Sequence, residues 1–410
     1  MRSYLVGGAV RDELLGLVPS ERDWVVVGSS EPEMLAAGFR RVGHDFPVFL
    51  HPSNAEQYAL ARRERKQGHG YGGFACETGG TVSLEDDLLR RDLTINAMAR
   101  DTDGTLIDPH GGLTDLRAGI LRHVSPAFVE DPLRVLRVAR FAARFASRDF
   151  RIAPETLALM QQISASGELA WLPGERVFAE LRLALDTANP EVFITVLRDS
   201  GALGALLPEI DALFGVPQPP QYHPEIDTGE HLLLALAVAA RLGLPGECRF
   251  ALLLHDLGKA LTPREAWPSH VGHEELGVAA LEAVCERLRA PVRWRELAVL
   301  VCRLHTRCHG AMRMRAAALV RLLEAADAFR QPARFEWMLR SCEADARGRA
   351  GLQEDAYPQA ARLRQALAAA STVQAAESLA RGLRGAAIGA DIHQRRCRAV
   401  AAALREDFTA

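Results

Sequence analysis

The pattern of apolar residues changes kind once along this chain, near residue 116, and that change bounds every fold the chain can adopt. Up to about residue 110 there are short runs of strand character: YLV at 4–6, DWVVVG at 23–28, FPVFLH at 46–51, QYALAR at 57–62 and GTLIDP at 104–109. Helical patterns lie between them, and polar, glycine-rich stretches such as KQGHGYGG at 66–73 separate them. Beyond 116 the strand patterns stop. Apolar residues then recur at helical spacing between joints that carry Pro and Gly. The longest joint, FGVPQPPQYHPEIDTGE at 214–230, reads as a linker ahead of a helical region from His231 to about 360. The expectation is an α/β domain followed by all-helical ones.

Size agrees with that division, since 410 residues exceed one ordinary core and call for two or three domains. The chain is 48% hydrophobic and 25% charged, with a net charge of −3, so bulk charge gives no sign of nucleic-acid binding. Seven scattered cysteines (76, 248, 285, 302, 308, 342, 397) form no CxxC pair, which argues for a reducing compartment and against a thiolate metal centre. The N-terminus runs straight into a strand pattern, unlike a secretory leader, and apolar runs such as LLLALAVAA at 232–240 are too short to span a bilayer. A cytoplasmic protein with no membrane partner is expected.

Four stretches in the first 145 residues carry chemistry. In YLVGGAVRDELLG (4–16), Gly7 and Gly8 join a strand to a helix, and Arg11 and Asp12 follow at once. Paired glycines let backbone N–H groups approach a ligand closely, and helix N-termini favour anions; a plain tight turn is the ordinary alternative. In SERDWVVVGS, Glu21 and Asp23 stand two residues apart at the start of a strand, which points both carboxylates to one side. Two hard carboxylates suit Mg²⁺, although such a pair alone is more often a solvated face. EDDLLRRDLTINAMA (85–99) adds Arg90, Arg91 and Asp92. In EDPLRVLRVARFAARF (130–145), an acidic pair and Pro132 mark a helix start, and Arg134, Arg137, Arg140 and Arg144 fall within one arc of the helix. Eight arginines against three acids lie between 116 and 151, so a phosphate-binding face competes with a solvated one.

Together, in this order and spacing, these stretches resemble the bacterial tRNA nucleotidyltransferases, the CCA-adding enzymes of the class II poly(A) polymerase-like superfamily. The resemblance implies a palm-type nucleotidyltransferase domain of α+β class, followed by an all-α neck and body. It implies that Gly8 and Arg11 lie at the incoming triphosphate and that Glu21 and Asp23 are catalytic and hold Mg²⁺. Arg91, Arg137 and Arg140 then bind nucleotide, and the tRNA 3′-hydroxyl attacks the α-phosphorus of CTP or ATP. Asp131 and Arg134 fit the family's base-reading pair beside Glu130. A carboxylate only accepts and a guanidinium only donates, which matches the amine and ring nitrogen of cytosine and adenine and opposes uracil and guanine. The family shows Asp at both metal positions, whereas Glu21 adds a methylene here. Glu56 is the candidate for a third carboxylate.

A second centre is announced by FALLLHDLGKALTP (250–263), where His255 and Asp256 adjoin inside an apolar helix pattern. A buried His–Asp pair is costly unless something satisfies it, and a metal does so well. His231, His270, His273, His305, His309 and Asp345 are further candidates in the same region. The pattern resembles an HD-domain phosphohydrolase, which implies an all-α HD domain whose divalent metal is held by His231, His255, Asp256 and Asp345. Imidazole ligands suit Ni²⁺ or another transition divalent ion better than Mg²⁺. The pairing with the first half resembles the multifunctional type of CCA protein and implies added 2′,3′-cyclic phosphodiesterase, 2′-nucleotidase and phosphatase activities. Where that type commonly shows a further His–Asp pair, this chain has His305–Thr306.

The expected division is a palm over 1–115, a helical nucleotide- and RNA-binding region over 116–222, an HD domain over 223–360 and a helical tail over 361–410. The expected partners are the tRNA 3′ end and acceptor stem, CTP and ATP, with the chain a monomer or a dimer. Two other readings stay open: a bacterial poly(A) polymerase, and an HD nucleotide phosphohydrolase whose first domain only binds nucleotide.

Overall fold

The computed structural model describes residues 1–42, 48–66, 74–79 and 81–406, and the chain packs as two compact units. The first comprises 1–184 with 192–206, and the second 185–191 with 207–410.

The first unit is built on a seven-stranded sheet. Its members are β1 (Arg2–Val6), β2 (Asp23–Val27), β3 (Arg40–Val42), β4 (Val48–Leu50), β5 (Gln57–Leu60), β8 (Ala99–Arg100) and β9 (Leu106–Ile107), in the order β3-β4-β5-β2-β1-β8-β9. A separate hairpin pairs β6 (Arg62–Lys66) with β7 (Phe74–Thr78). The apolar alternation of DWVVV decides which way β2 faces. Val26 packs with Met34, Phe39, Phe49 and Tyr58 on one face, while Val25 packs with Tyr4, Val6, Leu84 and Leu88 on the other. Asp23 shares the side of Val25 by the same alternation. β1 and β2 are antiparallel, with Val6 opposite Asp23. The end of β1 therefore delivers Gly7 and Gly8 beside the start of β2, and the glycine joint and the acidic pair meet at one edge of the sheet.

Several sequence expectations are adjusted. QYALAR breaks at Ala61, whose N–H bonds to the Val26 carbonyl, into β5 and β6. GTLIDP keeps only two residues of strand, because its other residues turn: the Asp101 N–H bonds to Thr105 O and Gly104 N to Asp101 O. Strand structure does not end at 116, since β10 (Ile120–Leu121) and β11 (Arg151–Ile152) form a short parallel pair. FPVFLH is described from Val48 onward; residues 46–47 and 67–73 lie outside the described residues. The basic helix starts at Leu133 rather than 130, because Pro126–Glu130 forms a 3₁₀ turn and Asp131 is extended.

The second unit is helical throughout, apart from an isolated bridge between Pro217 and Asp227. Its first long helix, Thr228–Arg241, is capped by Asp227, whose carboxylate accepts from the N–H groups of Gly229 and Glu230. The helices Gly246–Leu254, Val292–His309 and Pro332–Arg347 pack with it around a core that includes Leu236, Phe250, Leu253, Val301 and Phe335. Among the described residues no helix is long and apolar enough to cross a membrane.

Gly112, in the helix Gly112–Ala118, sits against the palm so tightly that a Cβ there would lie 2.2 Å from the Thr94 carbonyl oxygen and 2.9 Å from Met98. Neither neighbour can yield cheaply, because one is backbone and the other is fully buried. Gly112→Ala is expected to destabilise the first unit by about 1–3 kcal/mol. Calorimetry checks this, and an unchanged melting profile contradicts it.

Candidate functional site

Two sites emerge, one in each unit. In the first, a cavity of about 490 Å³ opens beside the glycine joint. Gly8, Arg11, Glu21, Asp23, Arg91, Asp131, Arg134, Arg137 and Arg140 all line it. Nine arginines against five carboxylates make its wall cationic, with Glu21 and Asp23 an acidic corner. Gly7 has φ of 70°, a conformation that glycine adopts without strain, and a Cβ there would come within 2.6 Å of Arg91 Nη1. The joint thus brings bare backbone close to a guanidinium.

Like charges packed this closely require counter-charges, and the fold supplies them to Arg11, Arg91, Arg137, Arg140 and Arg144. Arg11 is buried, donates through Nε and Nη2 to Asp12 Oδ1 at 2.9 and 2.7 Å, and stacks over Phe141 and Phe145. Burial pulls its pKa down while Asp12 opposes the shift. Arg144 reaches the other oxygen of Asp12 at 2.8 Å. Arg137 Nε donates to Asp92 Oδ2 at 2.7 Å, and Arg140 to Glu180 at 2.5 Å. Arg91 is anchored on the buried Asp87 at 3.0 Å. Asp92 is buried and would on that account favour its neutral form, but Arg137, Asn96 and the Leu93 N–H hold its carboxyl well below the usual range. The stripe read from the sequence as either solvated or phosphate-binding is therefore a pre-arranged cationic wall.

Arg134 is the most enclosed member of the stripe. Its Nη1 and Nη2 donate to the carbonyls of Ala127 and Arg90, at 3.1 and 2.6 Å. Asp131 accepts from the Leu133 N–H at 3.0 Å. Both side chains are thus fixed in the cavity with further polar capacity left over. Glu21 lies just before β2 rather than within it. Crowding in the cleft pushes the Asp23 carboxyl above its usual range; Arg91 opposes this and Glu21 adds to it. Glu56 does not line this cavity: it accepts from Trp24 Nε1 at 2.7 Å and borders a smaller hollow shared with Glu21 and Asp23. Two hard carboxylates at one corner of the cavity fit a divalent cation such as magnesium. Glu180, which holds Arg140, is signalled by no motif, whereas Asn96, which accepts from Arg11, sits inside the RRDLTINA stretch.

In the second unit, His231, His255, Asp256 and Asp345 come together, each 3% exposed or less. His255 and Asp256 do not sit inside a helix. The helix ends at Leu254 and the chain tightens into a 3₁₀ turn, Leu257–Leu261. Within this turn Gly258 lets backbone meet backbone, since a Cβ there would lie 1.9 Å from the His273 carbonyl oxygen. His231 Nε2 is 2.9 Å from Asp345 Oδ1, and His255 Nε2 is 3.1 Å from Asp256 Oδ2 and 3.6 Å from Asp345 Oδ1. Lys259 Nζ donates to Asp256 Oδ2 at 2.7 Å and to Gln218. Burial lowers the basicity of His255, but Asp256 and Asp345 outweigh it and hold the ring above its ordinary pKa.

His273, His305 and His309 join this cluster, whereas His270 is spent on Thr262 and the Pro217 carbonyl. The stretch read as a linker contributes too: Glu225 Oε1 stands 3.0 Å from His231 Nδ1 and 3.0 Å from His223 Nδ1. Only the His–Pro–Glu sequence at 223–225 could have signalled this. Thr306 donates to Glu274 and borders the same cavity as His273, His305 and His309. His255 Nε2 and Asp256 Oδ1 are buried with no hydrogen-bond partner, and four His/carboxylate groups here have ligand atoms within 4.8 Å of one another. Such a donor set fits a divalent metal. A cavity of about 520 Å³, lined also by Arg313 and Arg349, opens onto it.

Comparison with known proteins adds three family matches: the poly A polymerase head domain over residues 3–122, the "Probable RNA and SrmB-binding site of polymerase A" over 149–214, and the HD domain over 228–331. The chain is 57% identical over 400 residues to the multifunctional CCA protein of Hahella chejuensis, covering 98% of this chain and 95% of that one. It is also 57% identical to that of Alkalilimnicola ehrlichii, covering 99% and 98%. Its fold is similar to the Thermotoga maritima CCA-adding enzyme solved with tRNA (TM-score 0.62, 22% identity, 99% and 91% covered) and to a CCA-adding enzyme in an apo form (TM-score 0.65, 22%, 100% and 91%).

Removing the Asp92 carboxylate would leave the Leu93 N–H, Asn96 Nδ2 and Arg137 Nε without their acceptor. Asp92→Ala is expected to cost about 1–3 kcal/mol. A lower urea midpoint and faster amide exchange over 92–98 are the readouts; unchanged exchange there would mean that Asp92 does not hold the network.

Proposed function

Since the chain belongs to the multifunctional CCA proteins, we propose that its first unit adds and repairs the 3′-terminal CCA of tRNA without a template, consuming CTP and ATP and releasing pyrophosphate. The observation that carries this is the cationic cavity with its acidic corner. Gly8 and Arg11 border the triphosphate, with Arg11 acting through Asp12 and Asn96. Arg91, Arg137 and Arg140 stay charged in place and meet phosphate oxygens without rearrangement. Asp131 accepts from the exocyclic amine of cytosine or adenine, and Arg134 donates to the adjoining ring nitrogen. Uracil or guanine would leave these groups facing like partners, at a cost of about 1–3 kcal/mol each.

Glu21 and Asp23 hold magnesium, which when bound supplies counter-charge to the attacking and leaving oxygens of an in-line displacement. Asp23 is the more constrained of the two, being fixed by the β1–β2 register. Glu21 precedes the strand, and that looser position accommodates its extra methylene.

In the second unit His231, His255, Asp256 and Asp345 hold a transition divalent ion, nickel being the candidate, and serve 2′,3′-cyclic phosphodiesterase, 2′-nucleotidase and phosphatase activities. Arg313 and Arg349 give the adjoining cavity an anion-binding wall. We assign 1–115 to the palm, 116–222 to the nucleotide- and RNA-binding helices, 223–360 to the HD domain and 361–410 to a helical tail. The tRNA 3′ end and acceptor stem are the partners, the chain acts as a monomer or a dimer, and the compartment is the cytoplasm.

Incubated with magnesium, CTP alone and tRNA lacking its CCA end, the protein is expected to add two C residues and stop; ATP then completes the end. Long A tails instead would point to a poly(A) polymerase, and absence of any incorporation to a hydrolase with a silent first unit. Asp23→Ala is expected to lower incorporation by about 10²–10³-fold or more, while Glu21→Asp retains most of it. Equal activity in Asp23→Ala rules out the metal assignment.

A further inference from the structure

Asp131 and Arg134, which the reading above sets at the base, stand at the start of the helix Leu133–Phe145, and Arg144 stands near its other end. At 1.5 Å per residue, Arg134 and Arg144 are about 15 Å apart along the helix axis. Arg137 and Arg140 continue the stripe between them. The glycine joint lies toward the far end of this row. The Arg11 guanidinium sits over the rings of Phe141 and Phe145, at 5.0 and 5.2 Å, and a Cβ on Gly8 would lie 3.5 Å from Arg11 Nη2. A nucleotide held by its base at Asp131 therefore runs along the helix with its phosphates toward Arg144.

Arg144 borders the cavity together with the other arginines. An arginine in the last turn of a helix has an ordinary explanation, the partial negative charge of that terminus. This one does more. Its Nη2 donates to Asp12 Oδ2 at 2.8 Å, across 132 residues. The other oxygen of that carboxylate, Oδ1, accepts both bonds from Arg11. One buried carboxylate thus serves two guanidiniums, and the trio keeps a net positive charge. A guanidinium carries five N–H donors, of which Arg144 gives one to Asp12. Its side chain is 35% exposed against 3% for Arg11, so its unspent donors are the reachable ones of the pair.

We propose that Arg144 is a nucleotide-binding residue of the first unit: it holds the terminal phosphate of CTP or ATP, so that the cavity selects a triphosphate over a diphosphate. This rests on the reading of the first unit as a nucleotidyltransferase. A guanidinium meets a phosphate through two parallel N–H···O bonds, and Asp12 fixes the direction from which Arg144 approaches. The contact is blind to the base, so CTP and ATP gain alike. The same phosphate leaves as half of the pyrophosphate, which places Arg144 on the leaving group as well.

Equilibrium binding of radiolabelled CTP and CDP to the full-length chain, with magnesium and without tRNA, tests this. The unsubstituted protein is expected to bind CTP about 10–100-fold more tightly than CDP. Arg144→Ala is expected to weaken CTP by about that factor and to leave CDP nearly unchanged. No loss, or equal loss of CTP and CDP, overturns the proposal. Arg148→Ala removes a charge four residues on, at an exposed side chain that donates to the Leu15 carbonyl, and is expected to change neither constant. A loss there equal to that of Arg144→Ala would make the effect one of bulk charge and overturns the contact. In an Arg11→Ala background, Arg144→Ala is expected to weaken CTP further; no further loss would mean that Arg144 acts only through Asp12 and Arg11, which also overturns it. Should circular dichroism melting show that Arg144→Ala does not fold, Arg144→Gln, which keeps a donor for Asp12, takes its place with the same expectations. Failure of CCA addition with the CTP preference intact would sink the transferase reading and leave this contact standing.

Discussion

Guanidinium groups crowded on one face of a helix repel one another, and the first unit depends on how that repulsion is neutralised without being cancelled. Asp12 holds Arg11 and Arg144, Asp92 holds Arg137, Glu180 holds Arg140, and Asp87 anchors Arg91. Each carboxylate takes only part of its arginine's capacity, so the wall is orientationally fixed yet still cationic toward the cavity. The rings of Phe141 and Phe145 support the same side chains from beneath. Pre-arrangement of this kind matters for a polyphosphate ligand, because little reorganisation is left to oppose binding.

The second unit solves a related problem with the opposite sign. Its buried carboxylates are surrounded by imidazoles whose outer nitrogens face backbone carbonyls, Glu225 or, for His309, the Tyr357 hydroxyl. The inner nitrogens are thereby aimed at one small volume. What holds the cluster together is mostly main chain: the carbonyls of Leu252 and Cys302, in the later turns of their helices, and that of His270, just ahead of the His273–Arg287 helix. The break after Leu254 serves the same end, since a continued helix would carry Asp256 away from His273.

Much of this was legible in the sequence because it is carried by local order. The β1–glycine–helix joint, the acidic pair ahead of VVV and the 3.6-residue arginine stripe each express a periodicity readable within a dozen residues. What escaped depends on chain segments far apart. Glu180 meets Arg140 across 40 residues, and Glu225 meets His231 only because the 214–230 stretch folds back as a bridge. That stretch looked like a linker since Pro and Gly recur in it, yet it carries an acid set against His231. The His–Asp pair was read as helical because FALLL continues smoothly into it. The helix nevertheless ends at Leu254, and the backbone contact at Gly258 just beyond it is visible only in three dimensions.

The contact at Gly258 has a further consequence. Because main chain there touches main chain at the start of the His273–Arg287 helix, the gap between the two segments is set by atoms that every residue shares. Side chains elsewhere in the bundle can be exchanged without altering it. The spacing of the imidazole cluster thus works like a machined gauge block, vulnerable at the two glycines that face each other there, Gly258 and Gly277.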